Sequence, residues 1–113
     1  MLFVLIGFDR KDGGADIRRR TRADHLRFVM QNEHVFRYGG ALLGDDGKMV
    51  GSLMMVELPD RRALDAFTEM EPYSRAGLYD PFIVRESRQV VPAPEQGFIE
   101  AELTRELTAN EQS

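Results

Sequence analysis

The alternation of apolar and polar residues along the chain predicts where strands and helices begin. Residues 2–8 form a continuous β-rich apolar run, which is typical of a strand buried on both faces. Charged residues and glycines follow over residues 9–14, and this composition predicts a loop. A helical pattern then runs from Thr21 to about Tyr38, and Gly39-Gly40 closes it because glycine readily adopts the left-handed conformation of a helix cap.

Two strands and a second helix follow in the middle of the chain. Residues 41–43 and 50–58 flank a Gly-Asp-Asp-Gly turn sequence, which predicts a β-hairpin. A helix begins at Pro59-Asp60, and Pro72 interrupts it because proline lacks a backbone N–H. A last strand is predicted from residue 81 or 82 to residue 90 or 91, before further prolines. The order is β-α-β-β-α-β, an α+β, ferredoxin-like arrangement with an antiparallel sheet.

A second helical pattern lies in the C-terminal extension. Ile99, Leu103 and Leu107 recur every four residues, which predicts a short helix from about Gly97 to Thr108 with frayed residues after it. Because isolated helices below ~12–15 residues are marginal in water, we expect this apolar stripe to pack on the body or on a partner subunit. The alternative is a disordered acidic tail. The predicted organisation is therefore a domain over residues 1–91 and an extension over residues 92–113.

Composition limits the classes of function that need to be considered. A chain of 113 residues is long enough for one domain with a buried core. It has no cysteine and two histidines, so we expect no metal site, and nothing in the sequence indicates a cofactor. The first apolar run is too short for a membrane span or a signal peptide, so we expect no membrane contact and a cytoplasmic location.

Charge is unevenly distributed and argues against nucleic-acid binding. Residues 1–40 contain eight Lys/Arg and five Asp/Glu, whereas residues 41–113 contain seven and fourteen, so the two parts carry +3 and −7. The only basic cluster is Arg18-Arg19-Arg20 with Arg22, and it lacks interleaved aromatic residues. We interpret this cluster as a solvated entry to the first helix, with capture of a small anion as the alternative.

One histidine and one glutamate are the candidates for acid/base chemistry. At 100° per residue, His25 lies between Phe28 and Val29 on the face of the first helix that meets the sheet. Leaving a buried imidazole unsatisfied costs about 1–3 kcal/mol, so His25 needs a partner. Glu71, where Pro72 stops the second helix, is the candidate. The structural alternatives are a core histidine with one hydrogen bond and a solvated helix-terminal carboxylate.

Four short motifs carry a family resemblance over roughly residues 1–90. They are Arg22-x-x-His25-Leu26, Gly40-Ala41-Leu42-Leu43, Gly51-Ser52 and Pro72-Tyr73-x-x-Ala76-Gly77-Leu78-Tyr79. In order and spacing the chain resembles the YciI-like (YCII-related) family of small proteins, which usually has aspartate where this chain has Glu71. The resemblance implies a ferredoxin-like domain of the dimeric α/β-barrel superfamily, in which the sheets of two subunits face one another in a homodimer.

The resemblance also implies a site and a class of reaction. It centres the site on His25 and Glu71, with Ser52 as a neighbour, and we add Arg22 and Tyr73 as further candidate ligand contacts. One branch of the family resembles dehydrochlorinases of chlorinated hydroxyquinols, and others in the superfamily oxidise or isomerise small aromatic or lactone compounds. We therefore expect a small cofactor-independent enzyme in which His25 exchanges protons with a small polar or aromatic molecule. The alternative function is a non-catalytic ligand-binding or regulatory homodimer.

Two of the three candidate ligand contacts, Ser52 and Arg22, also have structural explanations that need no ligand. Ser52 would donate a hydrogen bond to a ligand, or it is simply a small strand residue. Arg22 precedes His25 by three positions on the same helix face, so it would attract an anionic substrate or pair with a surface carboxylate. A ferredoxin-like unit has helices on one sheet face only, and the third strand is apolar on both faces. The uncovered face is thus expected to pack against a second copy.

Overall fold

The computed structural model describes residues 1–112 of the chain. The strands are β1 (Leu2–Asp9), β2 (Phe36–Leu43), β3 (Met49–Glu57) and β4 (Tyr79–Ser87). The helices are α1 (Gly14–Gln31), α2 (Arg61–Met70), α3 (Pro72–Arg75) and α4 (Phe98–Gln112), and a 3₁₀ turn at Glu33–Val35 precedes β2. All neighbouring strands are antiparallel, in the order β2-β3-β1-β4. This confirms the predicted ferredoxin-like α+β fold.

The core lies between one face of the sheet and the helices α1 and α2. Leu5 at its centre is paired with Met54 of β3 and with Val84 of β4. The buried apolar side chains of this core are Phe3, Leu5, Met54, Val56, Leu64 and Phe67. Side chains alternate between the two faces of a strand, so the neighbours of these residues point away from the helices.

The opposite face of the sheet is mainly apolar and is covered by none of the helices described in residues 1–112, and we call it the open face. Its apolar side chains are Leu2, Val4 and Ile6 of β1, Leu53 and Met55 of β3, and Ile83 of β4. All six are only half-buried in the single chain, whereas the residues that alternate with them in β1 and β3 are buried. The sequence-based expectation of one uncovered apolar face agrees with this arrangement.

The boundaries predicted for the first helix were wrong at both ends. Helix α1 begins at Gly14, directly after Gly13 in a left-handed conformation with φ 79°, and it ends at Gln31. Residues 36–38 belong to β2, where they pair with β3, and Gly39-Gly40 lie inside that strand. The helical periodicity of this segment was overridden because its backbone pairs with β3 and Phe36 packs against Phe67.

Two other boundaries also differ from the sequence-based prediction. Strand β4 begins earlier than predicted, because Tyr79 pairs with Asp9, and it ends at Ser87. Helix α4 is present as predicted but continues to Gln112, so residues 109–112 are helical; Ser113 lies outside the described residues. The apolar stripe of α4 does not pack on the body of its own chain, since Leu103 and Leu107 are 59% and 55% exposed.

Candidate functional site

His25 lies on the inner face of α1, at the side of the sheet that the helices cover. Its Nδ1 atom is 2.5 Å from Oε1 of Glu71, 46 positions later in the chain. Its ring stacks on Tyr73, with a centroid distance of 4.1 Å and an interplanar angle of 20°. The side chain is 14% exposed, so the ring contacts Glu71 and Tyr73 but remains partly accessible to solvent. The structure therefore brings together the histidine and the carboxylate that the sequence singled out.

Glu71 is fixed at the junction of two helices. It ends α2, and its side chain caps the first turn of α3, where Pro72 occupies the first helical position. One carboxylate oxygen accepts from the Tyr73 N–H at 3.2 Å, and the other accepts from the Ser74 N–H at 2.8 Å and the Ser74 hydroxyl at 3.1 Å. A carboxylate at the C-terminal end of α2 is unfavourable for that helix, but the N-terminus of α3 compensates.

The environment of Glu71 keeps its carboxyl group ionised. Burial alone would raise the pKa of this carboxyl, but the hydrogen bonds from His25 and from the backbone of Ser74 and Tyr73 outweigh it and lower the pKa. Glu71 is therefore ionised, and its Oε1 accepts a hydrogen bond from the N–H at His25 Nδ1. Within residues 1–112, no group forms a hydrogen bond with His25 Nε2, so this nitrogen is left for a ligand.

Arg18 forms a second buried polar group next to the pair. Its Nε atom donates to one carboxylate oxygen of Asp9 at 2.6 Å and its Nη2 atom donates to the other at 2.8 Å. Nη2 also donates to Ser52 Oγ at 2.9 Å. Its guanidinium carbon lies 4.7 Å from the centroid of the Tyr73 ring. Hydrogen bonds and charge from Asp9 outweigh the effect of burial and raise the pKa of Arg18. Tyr73 is thus enclosed between an imidazole and a guanidinium.

The interpretation of the basic cluster as a solvated helix entry was wrong for Arg18. Arg18 is 6% exposed, whereas Arg19 and Arg20 are exposed and pair with Asp16. The run of arginines concealed the difference, because charge runs usually face solvent. The available signal was the spacing of Arg18, Arg22 and His25, which follow the i, i+4, i+7 pattern of one helix face.

A cavity of about 210 Å³ opens beside His25. Its polar side chains are Arg18, Arg22, His25 and Ser52, and its apolar lining comes from Leu26, Val29, Phe36, Ala41 and Met54, with Gly39 and Gly40. Among the side chains of residues 1–112 that line it there is no carboxylate. Arg22 is exposed and donates to Met49 Sδ at 3.7 Å, and within residues 1–112 it pairs with no acid. The cavity thus presents hydrogen-bond donors and cations beside an apolar wall.

Tyr73, the third candidate ligand contact, lies behind this cavity and does not line it. It is fully buried, so a ligand in the cavity would meet the His25 ring that stacks on it. Among residues 1–112, the hydroxyls of Tyr73 and Tyr79 are buried without a hydrogen-bond partner. Burial raises the pKa of Tyr79 well above its ordinary value. A Cβ atom on Gly7 would lie 2.4 Å from the Tyr79 ring, so only glycine leaves room for this tyrosine.

Comparison with known proteins places the chain in a family. The profile of the YCII-related domain matches residues 1–88, which include every residue of the site. The chain belongs to the YCII-related family. No curated protein sequence is significantly similar to it. The YCII-related match ends directly after β4, so helix α4 lies outside it.

Solved structures with a similar fold include one with a bound small molecule. 5-Chloro-2-hydroxyhydroquinone dehydrochlorinase (TftG) from Burkholderia phenoliruptrix AC1100, in complex with 2,5-dihydroxybenzoquinone, is 29% identical, with a TM-score of 0.71 over 79% of this chain and 95% of that chain. An antibiotic biosynthesis monooxygenase is 16% identical, with a TM-score of 0.46 over 79% and 100%. Rv0793 from Mycobacterium tuberculosis is 17% identical, with a TM-score of 0.47 over 80% and 96%.

Two further properties of the described residues concern metal ions and membrane spans. Residues 1–112 contain no group of three or more His, Cys, Asp or Glu side chains arranged to hold a metal ion. None of the helices in that range combines the length and the apolar character that crossing a bilayer requires.

We expect Glu71→Gln to weaken the dependence of the free energy of unfolding on pH in the acid range. Folding lowers the pKa of Glu71 below its ordinary value of 4.5, so the ionised carboxylate stabilises the fold above that pH, and this contribution is lost as the pH falls through the lower folded value. Urea unfolding between about pH 3 and pH 7 measures it. Exposed Glu69→Gln removes the same charge and should keep the wild-type profile. Identical profiles for all three proteins would contradict the prediction.

Proposed function

We propose that this protein is a small cofactor-independent enzyme that uses His25 for acid/base chemistry on a small polar or aromatic molecule. The observation that supports it is the asymmetric environment of the imidazole. Nδ1 is hydrogen-bonded to a buried carboxylate, whereas Nε2 has no hydrogen-bond partner among residues 1–112, and the ring borders a cavity. A general base needs this combination, because one nitrogen must be held while the other reaches the substrate.

In this proposal each neighbouring residue has a separate task. Ionised Glu71 holds the proton of His25 on Nδ1, so that Nε2 presents its lone pair to the cavity. When Nε2 takes a proton from the substrate, the imidazolium that forms is stabilised by the adjacent carboxylate. Tyr73 does not contact the substrate but fixes the plane of the imidazole by stacking.

The other polar residues of the cavity are proposed to hold the substrate. Arg18 and Ser52 are hydrogen-bonded to each other at the cavity wall, and Arg22 supplies a cation that no acid in residues 1–112 neutralises. Negative charge that develops on a substrate oxygen after proton removal would be stabilised by these groups. A cavity of ~150 Å³ accommodates benzene in another protein, so 210 Å³ suits a single substituted ring.

We also propose that the protein is a homodimer that joins two open faces. Residues Val4, Ile6, Leu53, Met55 and Ile83 form a contiguous apolar surface, because they are neighbours in the strand register. Contiguous apolar patches of this kind on soluble proteins mark interaction sites. Sedimentation equilibrium at micromolar concentration tests the proposal, and a 12.9 kDa species alone would contradict it.

A non-catalytic ligand-binding homodimer is the second candidate, and one observation favours it. Besides His25, Glu71 accepts hydrogen bonds from Tyr73 and Ser74 and caps α3. The carboxylate is therefore explained by the needs of the fold, and His25 could then serve as a packing residue. This candidate retains the cavity and the dimer but performs no chemistry.

Ligand binding and turnover distinguish the two candidates. TftG is similar to this chain and was solved with 2,5-dihydroxybenzoquinone, so that compound is a suitable binding probe. We expect calorimetry to detect its binding, and chloride release to be measurable with 5-chloro-2-hydroxyhydroquinone. Binding without turnover of this compound or of other small hydroxylated rings would favour the non-catalytic candidate. Absence of binding by this quinone and by other small hydroxylated rings would contradict both candidates.

A further inference from the structure

Helix α4 presents an apolar stripe that its own chain does not cover. Ile99, Leu103 and Leu107 are 40%, 59% and 55% exposed, and no residue of α4 is buried. The side-chain hydrogen bonds that Thr104 and Arg105 donate end on other residues of the same helix. An isolated helix of 15 residues is marginally stable in water, so the stripe needs a surface to pack on.

The dimensions of the molecule show that α4 stands away from the body. The Cα radius of gyration is 17.5 Å, compared with about 13 Å for a compact domain of ~100 residues. The principal extents are 55 × 31 × 21 Å. The body of the same chain is thereby ruled out as the surface that covers the stripe.

Helix α4 begins beside the open face of the sheet. A cavity of about 460 Å³ is shared by Leu2, Glu57 and Ser87 on one side and by Pro94 and Phe98 on the other. Leu2 is paired in register with both Glu57 and Ser87, so these three residues form one row at the end of the open face. A subunit that covers the open face would therefore also meet the start of α4.

Charge on the two surfaces is complementary at Arg85, whereas Glu57 at the end of the open face is already paired with the Met1 amino group and with Arg37. Helix α4 carries Glu100, Glu102, Glu106 and Glu111 with a single cation, Arg105. On the open face, Arg85 is exposed beside Val4, and its hydrogen bond goes to the neighbouring Val84 carbonyl. Within residues 1–112, Arg85 pairs with no carboxylate. A second copy that brings its acidic helix to this face would supply one.

We infer that α4 is an interaction arm whose apolar stripe packs against a second copy of this chain. The inference rests on the homodimer in the proposed function, and it adds a segment that the YCII-related match does not cover. The occupant is a second copy because the arm starts at the row that ends the open face and its charge complements that face. The extension of residues 92–113 would then determine how tightly the dimer forms.

Two double variants with the same added charge test the inference. Leu103→Glu/Leu107→Glu places two carboxylates in the stripe, whereas Ala101→Glu/Thr108→Glu places them on the opposite side of the helix. We expect the stripe variant to weaken dimerisation at least about tenfold in sedimentation equilibrium and the control to stay within about twofold of wild type. Circular dichroism verifies that both variants fold.

The outcomes separate this inference from the proposed function. A dimer whose dissociation constant is the same in both double variants would overturn the role of α4 and leave the dimer itself. A wild-type protein found only as a 12.9 kDa species would overturn both. Because the chain has no cysteine, a single Leu103→Cys variant reports exposure directly. Its thiol should react more slowly with maleimide in the dimer than in the monomer that forms on dilution. Equal rates in the two species would overturn the inference.

Discussion

Replacing His25 with alanine is expected to lower turnover by about 100-fold or more, because general acid/base catalysis contributes 10²–10⁴. The free energy of unfolding should fall by only about 1–3 kcal/mol, because the variant removes one hydrogen bond and one ring stack. Steady-state kinetics with the compound that gives turnover, together with urea unfolding, measures both effects. His34→Ala is the matched control, because His34 is exposed on the 3₁₀ turn and should leave turnover unchanged.

Chemical rescue separates catalysis from packing in the same variant. The His25 ring is 14% exposed and borders the cavity, so its removal leaves a space that external imidazole can enter. We expect added imidazole to restore part of the lost turnover in His25→Ala and to have no effect on His34→Ala. If turnover and thermal stability fall together and imidazole restores neither, His25 is a packing residue and the catalytic proposal fails.

The largest loss of stability is expected from Arg18→Met. The side chains of Arg18 and Asp9 are 8% and 9% exposed, so the variant leaves the Asp9 carboxylate buried without its partner. Breaking a buried ion pair in this way costs about 3–5 kcal/mol. At about 4–8 °C per kcal/mol for a domain near this size, the melting temperature should fall by more than about 10 °C.

Two further variants identify the cause of that loss. Arg19→Met removes an arginine from the adjacent position, but Arg19 pairs with Asp16 at the surface and should change stability by no more than about 0.5 kcal/mol. Adding Asp9→Asn to Arg18→Met removes the unpaired charge and should recover part of the stability. A melting temperature for Arg18→Met that matches Arg19→Met would show that the buried pair does not support the fold.

Knowledge of the YCII-related motifs made the centre of the site predictable. The helical periodicity placed His25 on the face of the first helix that meets the sheet, and Pro72 placed Glu71 at the end of the second helix. His25 lies in the interior of α1 and not at its end. The aspartate usual in the family is replaced here by glutamate, yet the longer side chain still reaches Nδ1 at 2.5 Å. It also caps α3, a role that α2 and Pro72 create at the same position.

Arg18 and the limits of α1 could not be predicted in the same way. Arg18 differs from Arg19 and Arg20 only in the direction in which α1 points it, and that direction depends on where the helix begins. Its burial further requires Asp9 at the end of β1 and Ser52 on β3, which are 9 and 34 positions away and belong to other elements. These contacts form only after the sheet is assembled.

The sequence by itself determined the order of elements, the apolar character of both sheet faces and the histidine and glutamate of the site, because these depend on local periodicity and on a family motif. Tertiary structure decided the remainder. Residues 36–38, predicted as helix, are a strand because they pair with β3. Arg18 is buried against Asp9, and Tyr73 lies behind the imidazole instead of lining the cavity. A local pattern indicates which face of a helix a residue occupies, but strand pairing, the partner of a buried ion pair and ring stacking depend on elements that meet only in the folded chain.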